Sequence, residues 1–306
     1  VFMEEYDVVI AGAGPAGLTA GIYAGRDGLK TLVLEKALKG GMGSAAPLVM
    51  NFPAFKSITG MELLKRIGEQ ASYYVKIRES EEIQGVEKTP EKIILHTNKG
   101  EYSAKAFVIA TGTKYRDLGV PGEEEFLGKG ISYCSTCDGM FFRGKEVLVI
   151  GGGNSAAEHA LHLKDIGCKV RMVHRRDELR AQKYLQEKLE KEGVPIIWNS
   201  VVKEIKGDAV LKSVVLHDRV RDVDEEIPVN GVFIAIGETP SSQLAVELGA
   251  EVDAAGYIVT DKDQKTNIHR VYAAGDVTGG VKQLVVACAE GAVAAVSAYN
   301  DMKIEE

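Results

Sequence analysis

The fold class predicted for this chain is α/β, and three observations predict it. A glycine string, Gly12-Ala13-Gly14-Pro15-Ala16-Gly17, follows the apolar run Tyr6 to Ala11. A second string, Gly151-Gly152-Gly153-Asn154-Ser155-Ala156, follows Val147 to Ile150, and a late apolar run, Val271 to Ala274, ends in Gly275-Asp276. An apolar run broken by glycines that open a helix is the strand-to-helix turn of a Rossmann-like dinucleotide-binding unit. The late run returns to the first unit, so the two domains are expected to be nested. Residues 1–113 and 241–306 would form the outer domain and 114–240 the inner one, with joints near Thr113 and Glu238 to Ser242.

The outer elements follow in order. Gly12 makes the turn, Gly14 lets backbone approach a pyrophosphate, and Gly17 lets the helix to about Asp27 pack on its strand; the helix N-terminus then offers N–H groups to phosphate. A second strand, Thr31 to Leu34, ends on Glu35, about twenty residues after the glycines, where such a fingerprint places an acid for a ribose hydroxyl. Lys36 to Gly60 is irregular and rich in small residues, and long ordered loops usually carry function. Met61 to Tyr74 has helical periodicity, and strands are expected at Ile83 to Val86, Ile93 to Thr97 and Ala106 to Ala110, with a turn at Asn98-Lys99-Gly100.

Between the two fingerprints stands Cys134-Ser135-Thr136-Cys137-Asp138, a C-x-x-C pair with an acid behind it, so the chain order reads nucleotide, flavin, disulfide. A helix to about Ile166 and a strand, Lys169 to Val173, complete the second unit. Then come His174-Arg175-Arg176 and Arg180 where an acid would hold a free 2'-hydroxyl; arginines offer planar donors for a 2'-phosphate, which points to NADPH. The bland alternative is a solvated basic patch beginning a helix. Val232 to Ile236 forms a strand ending in Gly237, and Gly275-Asp276 leads to a helix from Leu284 to about Tyr299. This closure suits a flavin, whose ribityl chain takes a carboxylate and whose ring takes a helix N-terminus; the bland alternative is that Asp276 caps a helix.

Composition removes other classes. With 306 residues, 45% hydrophobic and 26% charged, the chain can bury one or two cores. A net charge of -7 offers no basic field for a nucleic acid. Leu284 to Val296 is too short and too rich in small residues to span a membrane, and no signal segment is expected; Val1-Phe2 ahead of Met3 reads as a remnant of processing or of cloning, and the sequence does not decide between them. Of four cysteines only two are close, which favours a reducing cytoplasm with one working pair. Cys168 and Cys288 are expected to be buried, inert thiols, and Trp198 a core residue. A zinc site is not expected, because there is no second C-x-x-C and His159 and His162 fall on a helix.

Gly12 to Gly17, Ala110-Thr111-Gly112, Cys134 to Gly139, Gly151 to Ala156, His174 to Ala181 and Ala273 to Val277 together resemble the low-molecular-weight thioredoxin reductases over essentially the whole chain. Gly40-Gly41-Met42 and Lys282-Gln283-Leu284 depart from the common bacterial pattern in the direction of archaeal members. The resemblance implies FAD held by Gly12, Gly14, Pro15, Ala16, Gly17, Glu35, Lys36, Gly41, Asn51, Thr111, Gly112, Gly275, Asp276, Lys282, Gln283 and Leu284. It implies NADPH held by Gly151, Gly153, Asn154, Ser155, His174, Arg175, Arg176, Arg180, Ile236 and Gly237. It further implies that Cys137 faces the flavin, that Cys134 attacks the substrate disulfide, and that Asp138 moves the proton. A thioredoxin or thioredoxin-like partner, a homodimer and domain rotation also follow from it. Two alternatives stand beside this reading: a reductase of another disulfide, in a glutaredoxin-like or peroxiredoxin system, and a flavin-binding redox sensor.

Overall fold

The computed structural model describes residues 3–46 and 49–304. Val1-Phe2, Pro47-Leu48 within the irregular segment, and the last two residues of the tail lie outside the described residues. The chain divides into two compact units, Val1–Lys114 with Thr239–Glu306, and Tyr115–Glu238.

The outer unit opens with β1 (Glu4–Ala11), α1 (Pro15–Arg26), β2 (Thr31–Leu34), α2 (Gly60–Tyr74), β3 (Lys76–Arg78), β4 (Ile83–Lys88), β5 (Ile93–Thr97), β6 (Gly100–Ile109) and β7 (Thr113–Tyr115). Thr59 starts α2 by accepting the Glu62 N–H on its hydroxyl, the ordinary role of a threonine at that position. The sheet order is β3-β2-β1-β6-β5-β4. Val8, Val9, Ile10 and Ala11 face Thr31, Leu32, Val33 and Leu34 in parallel register. Successive β1 side chains point to opposite faces, so Val8 and Ile10 enter one core with Leu18, Leu63 and Ala294, while Val9 and Ala11 enter another with Leu32, Phe107 and Ala245.

The inner unit contains α3 (Glu123–Phe126), β8 (Ile131–Ser132), α4 (Ser135–Asp138), β9 (Glu146–Ile150), α5 (Asn154–Asp165), β10 (Lys169–Val173), α6 (Lys183–Lys191), β11 (Ile196–Ile197), β12 (Ser200–Gly207), β13 (Leu211–Asp218), β14 (Val223–Pro228) and β15 (Gly231–Ile234). A parallel sheet, β11-β10-β9-β15-β8, is covered on one face by α5 and α6 and on the other by the antiparallel β12-β13-β14. Val147 and Val149 pack toward the helices, Leu148 and Ile150 toward the antiparallel sheet. The chain then returns through β16 (Glu238–Pro240), α7 (Gln243–Glu247), β17 (Val271–Ala273) and α8 (Leu284–Ile304). β17 lies parallel to β6, and β16 pairs with β7 where the chain crosses between units.

Two expectations need correction. Trp198, expected in the core, is 38% exposed, because β11 stops at Ile197; its ring stands edge-on to His174. Cys168 is buried, but Cys288 is only partly so. The segment from Arg175 to Arg180 is irregular, and α6 begins at Lys183.

Candidate active site

In the outer unit the turn after β1 is shaped by what a side chain would strike. Gly12 has φ +100°, and a Cβ there would fall on the Ala110 carbonyl; one on Gly17 would fall on the Gly12 carbonyl. Gly14 has open space instead, and as the residue ahead of α1 it offers no side-chain cap. Pro15 has no N–H to leave unpaired, so the free donors of the first turn begin at Ala16. The cradle is therefore an uncapped helix N-terminus with room over a glycine, which fits a pyrophosphate.

Glu35, 9% exposed, accepts the Ala13 N–H at 2.8 Å and the Ala37 N–H at 2.9 Å. Each oxygen keeps a lone pair, so the acid can brace the turn and still accept from a ribose hydroxyl. Lys36 beside it is exposed. Gly41 lies against the same turn, its missing Cβ 3.1 Å from the Cα of Gly14. Asn51 and Gln283, far apart in sequence, meet through a 2.9 Å hydrogen bond from Nδ2 to Oε1. Leu284 covers Gly43. The Thr111 hydroxyl is committed to the Ser241 carbonyl at 2.6 Å, and Gly112 accepts the Ser241 N–H. Lys282 bonds the Tyr257 hydroxyl at 2.8 Å and lies over its ring; burial holds its pKa below the usual lysine range.

Gly275 takes φ +81°, and Asp276 opens a short turn. Burial, reinforced by Glu290, pushes the Asp276 carboxyl up to about 6. Glu290 was not read from the sequence. Its Oε2 accepts the Gly275 N–H at 2.7 Å and the Thr278 hydroxyl at 3.1 Å, fixing the turn that presents Asp276. The signal was an acid in the apolar first half of α8, since acids in such surroundings are rare unless bonded. Next to it, Gly291 lets α8 meet Ala16, whose carbonyl a Cβ would strike.

The inner unit repeats the device. Gly151 has φ +149°, and a Cβ there would strike the Ala235 carbonyl; Gly153 is open and leaves α5 uncapped. Gly152 is needed because the buried His174 ring occupies its side-chain space. Burial lowers the His174 pKa, and its Nε2 has no partner among the described residues. Arg180 and Ala181 donate their backbone N–H groups to the Gly152 carbonyl, returning the arginine loop to the glycine turn. Asn154 accepts the Gln182 N–H, tying the start of α5 to the same loop; Ser155, Arg175, Arg176 and Arg180 are exposed. Arg219, not foreseen, donates to the Arg175 carbonyl at 3.1 Å and adds a guanidinium to the cluster. Ile236 packs on the inner core, and Gly237, at φ +105°, accepts the Arg116 N–H. Uncapped donors beside several guanidinium groups fit a nucleotide carrying an extra phosphate.

Cys134 and Cys137 form a disulfide with Cα atoms 5.3 Å apart. The Cys137 N–H points at the Cys134 sulfur at 3.2 Å, and Thr136 lies 3.3 Å from that sulfur. Burial raises the Asp138 pKa, while a hydrogen bond from Ser132 opposes the rise. No cluster of His, Cys, Asp or Glu among the described residues could hold a metal ion.

Residues 6–291 match the family described as Pyridine nucleotide-disulphide oxidoreductase. The chain is 44% identical over 302 residues to a thioredoxin reductase of Peptoclostridium litorale, covering 96% of each chain. It is 41% identical over 298 residues to one of Bacillus subtilis, covering 96% of this chain and 94% of that one. A crystal structure of thioredoxin reductase from Streptococcus pyogenes superposes with a TM-score of 0.93 at 37% identity, covering 99% of this chain and all of the other.

Proposed function

The chain belongs to the pyridine nucleotide-disulphide oxidoreductases, and on that premise we propose that it is an NADPH-dependent thioredoxin reductase with FAD as cofactor. The reaction is NADPH + H⁺ + thioredoxin disulfide → NADP⁺ + thioredoxin dithiol. The observation that carries it is the Cys134–Cys137 disulfide, followed directly by Asp138, in a chain alike end to end to named thioredoxin reductases. FAD, when bound, carries two electrons from NADPH to that disulfide.

The chain's own residues bind, orient and move protons. The open side of Gly14 and the uncapped start of α1 support the FAD pyrophosphate site, Glu35 the ribose site, and Asp276 the ribityl site. Asn51 and Gln283 close the same cradle as a bonded pair. Around the start of α5, Arg175, Arg176 and Arg180 hold the 2'-phosphate that distinguishes NADPH. By the family resemblance Cys137 accepts the electrons and Cys134 attacks thioredoxin. Asp138, half-buried and inclined to keep its proton, supplies a proton to the departing sulfur.

No helix among the described residues is long and apolar enough to cross a membrane. The outer unit leaves Tyr23, Val285, Val293 and Val296 exposed on α1 and α8, a surface that supports a homodimer; the sparse cysteines support a cytoplasmic setting.

The test is NADPH oxidation with thioredoxin as acceptor. Cys134→Ser and Cys137→Ser should each abolish turnover, because exchange needs both sulfurs. Arg175→Ala should raise the KM for NADPH about tenfold and leave NADH use unchanged, the loss of one charge-assisted hydrogen bond. Thioredoxin reduction by either single-cysteine variant, or a wild-type preference for NADH, would sink the reading.

A further inference from the structure

We propose that Ser132 is a positioning residue that holds the Asp138 carboxyl and sets how readily it releases its proton. The proposal rests on Asp138 being the proton donor in the disulfide reaction. Ser132 ends β8, is 6% exposed, and makes three contacts through one oxygen. Its Oγ lies 2.6 Å from Asp138 Oδ2 and 3.3 Å from the Cys134 carbonyl, and it accepts the Cys134 N–H at 3.0 Å.

A hydroxyl has one hydrogen and two lone pairs. With Asp138 ionised, that hydrogen points to Oδ2 and stabilises the carboxylate. With Asp138 protonated, the acid donates to Oγ and the hydroxyl hydrogen turns to the Cys134 carbonyl. Ser132 is satisfied in both states, and the switch couples the acid's charge to the backbone of Cys134. No second group shares the work, since Oδ1 is buried with no hydrogen-bond partner among the described residues.

The ionisable neighbours are few. On α4 and at its cap there are only Cys137 and Cys134, joined as the disulfide. The turn Gly139–Phe142, β8 and β15 carry none. Next to Cys134, the Tyr133 hydroxyl is turned to Asp117 and Glu123. Helix α5 meets Gly139 through Leu163 and Ile166, and one turn earlier the same face carries His159 and His162. His159 stays neutral at working pH, and neither histidine contributes to the displacement of Asp138, whose causes are burial and then Ser132.

The experiment compares oxidised wild-type holoenzyme with Ser132→Ala and Ser132→Thr. The protonated carboxyl is followed by difference infrared titration, with Asp138→Asn to assign the band. Removing the hydroxyl should raise the Asp138 midpoint by about one to two pH units, and threonine should restore it. The reaction needs the acid form, so the alkaline limb of kcat/KM for thioredoxin should move up with the midpoint. An unmoved midpoint in Ser132→Ala overturns the proposal even if turnover falls, because a purely structural role lowers the rate without moving a titration. A midpoint that moves while the alkaline limb stays fixed supports the Ser132 assignment and removes Asp138 as the donor.

Discussion

Asp276, proposed above to hold the ribityl chain, shows how a single carboxyl can cost stability in the folded chain. Its folded pKa of about 6 lies above the usual 3.8, so its contribution is present below pH 4 and is lost as pH rises through 6. At pH 8 the FAD-free protein must bury a charge beside Glu290. Asp276→Asn should therefore stabilise the FAD-free protein by about 2 kcal/mol at pH 8 and change little at pH 4, read as urea midpoints. The same variant should bind FAD more weakly. An unchanged midpoint at pH 8 would mean that the carboxylate is solvated. The turns at Asp276 and the glycines were legible because each sits beside its own strand end, where local order reveals the turn. Glu290 and Arg219 were not, because their partners Gly275 and Arg175 are distant in sequence and only the packed helix or turn brings them close.

At the scale of elements, β2, β5 and β10 match the expected bounds residue for residue, since short apolar runs between turn signals leave little freedom. Strands β12 to β14 escaped notice. β12 buries few of its side chains, and β14 reads Val-Asp-Glu-Glu-Ile-Pro, whose charges resemble a loop until Leu216, Val214 and Ile227 are seen to cover the inner sheet. Helix α8 continues past the expected end to Ile304, with Asp301 taken up by Lys265 at 2.6 Å and Tyr272 at 2.7 Å. Helix α5 carries a cost of its own. Burial, with His162 next, lowers His159 to about 4. A histidine kept neutral in the folded state stabilises it above pH 6.5 and loses that effect as pH falls through 4. His159→Leu should flatten this decline, sparing about 2 kcal/mol between pH 7 and pH 4 in urea unfolding of the inner unit. A variant with the wild-type slope would show that the imidazole protonates freely when folded.

For the whole molecule, the two crossings of the chain run in β7 and β16, which pair with each other, so the inner unit's two ends are held side by side. Residues 115–238 expressed alone should fold cooperatively, with native-like near-ultraviolet circular dichroism and one urea transition. A molten or aggregated product would show that the outer unit is needed to complete its core. Nesting was legible because the second fingerprint interrupts the first before its closing strand appears. Helix α8 packs against α1, meeting Ala16 closely at Gly291, so the buried face of α1 waits for a segment made long after it. At about 5–20 residues per second, that face stays uncovered on the ribosome for roughly tens of seconds. The inner unit, complete at Glu238, can fold meanwhile. The aggregation hazard of this protein is thus concentrated in its first helix during synthesis, and slow translation or an early stop lengthens it.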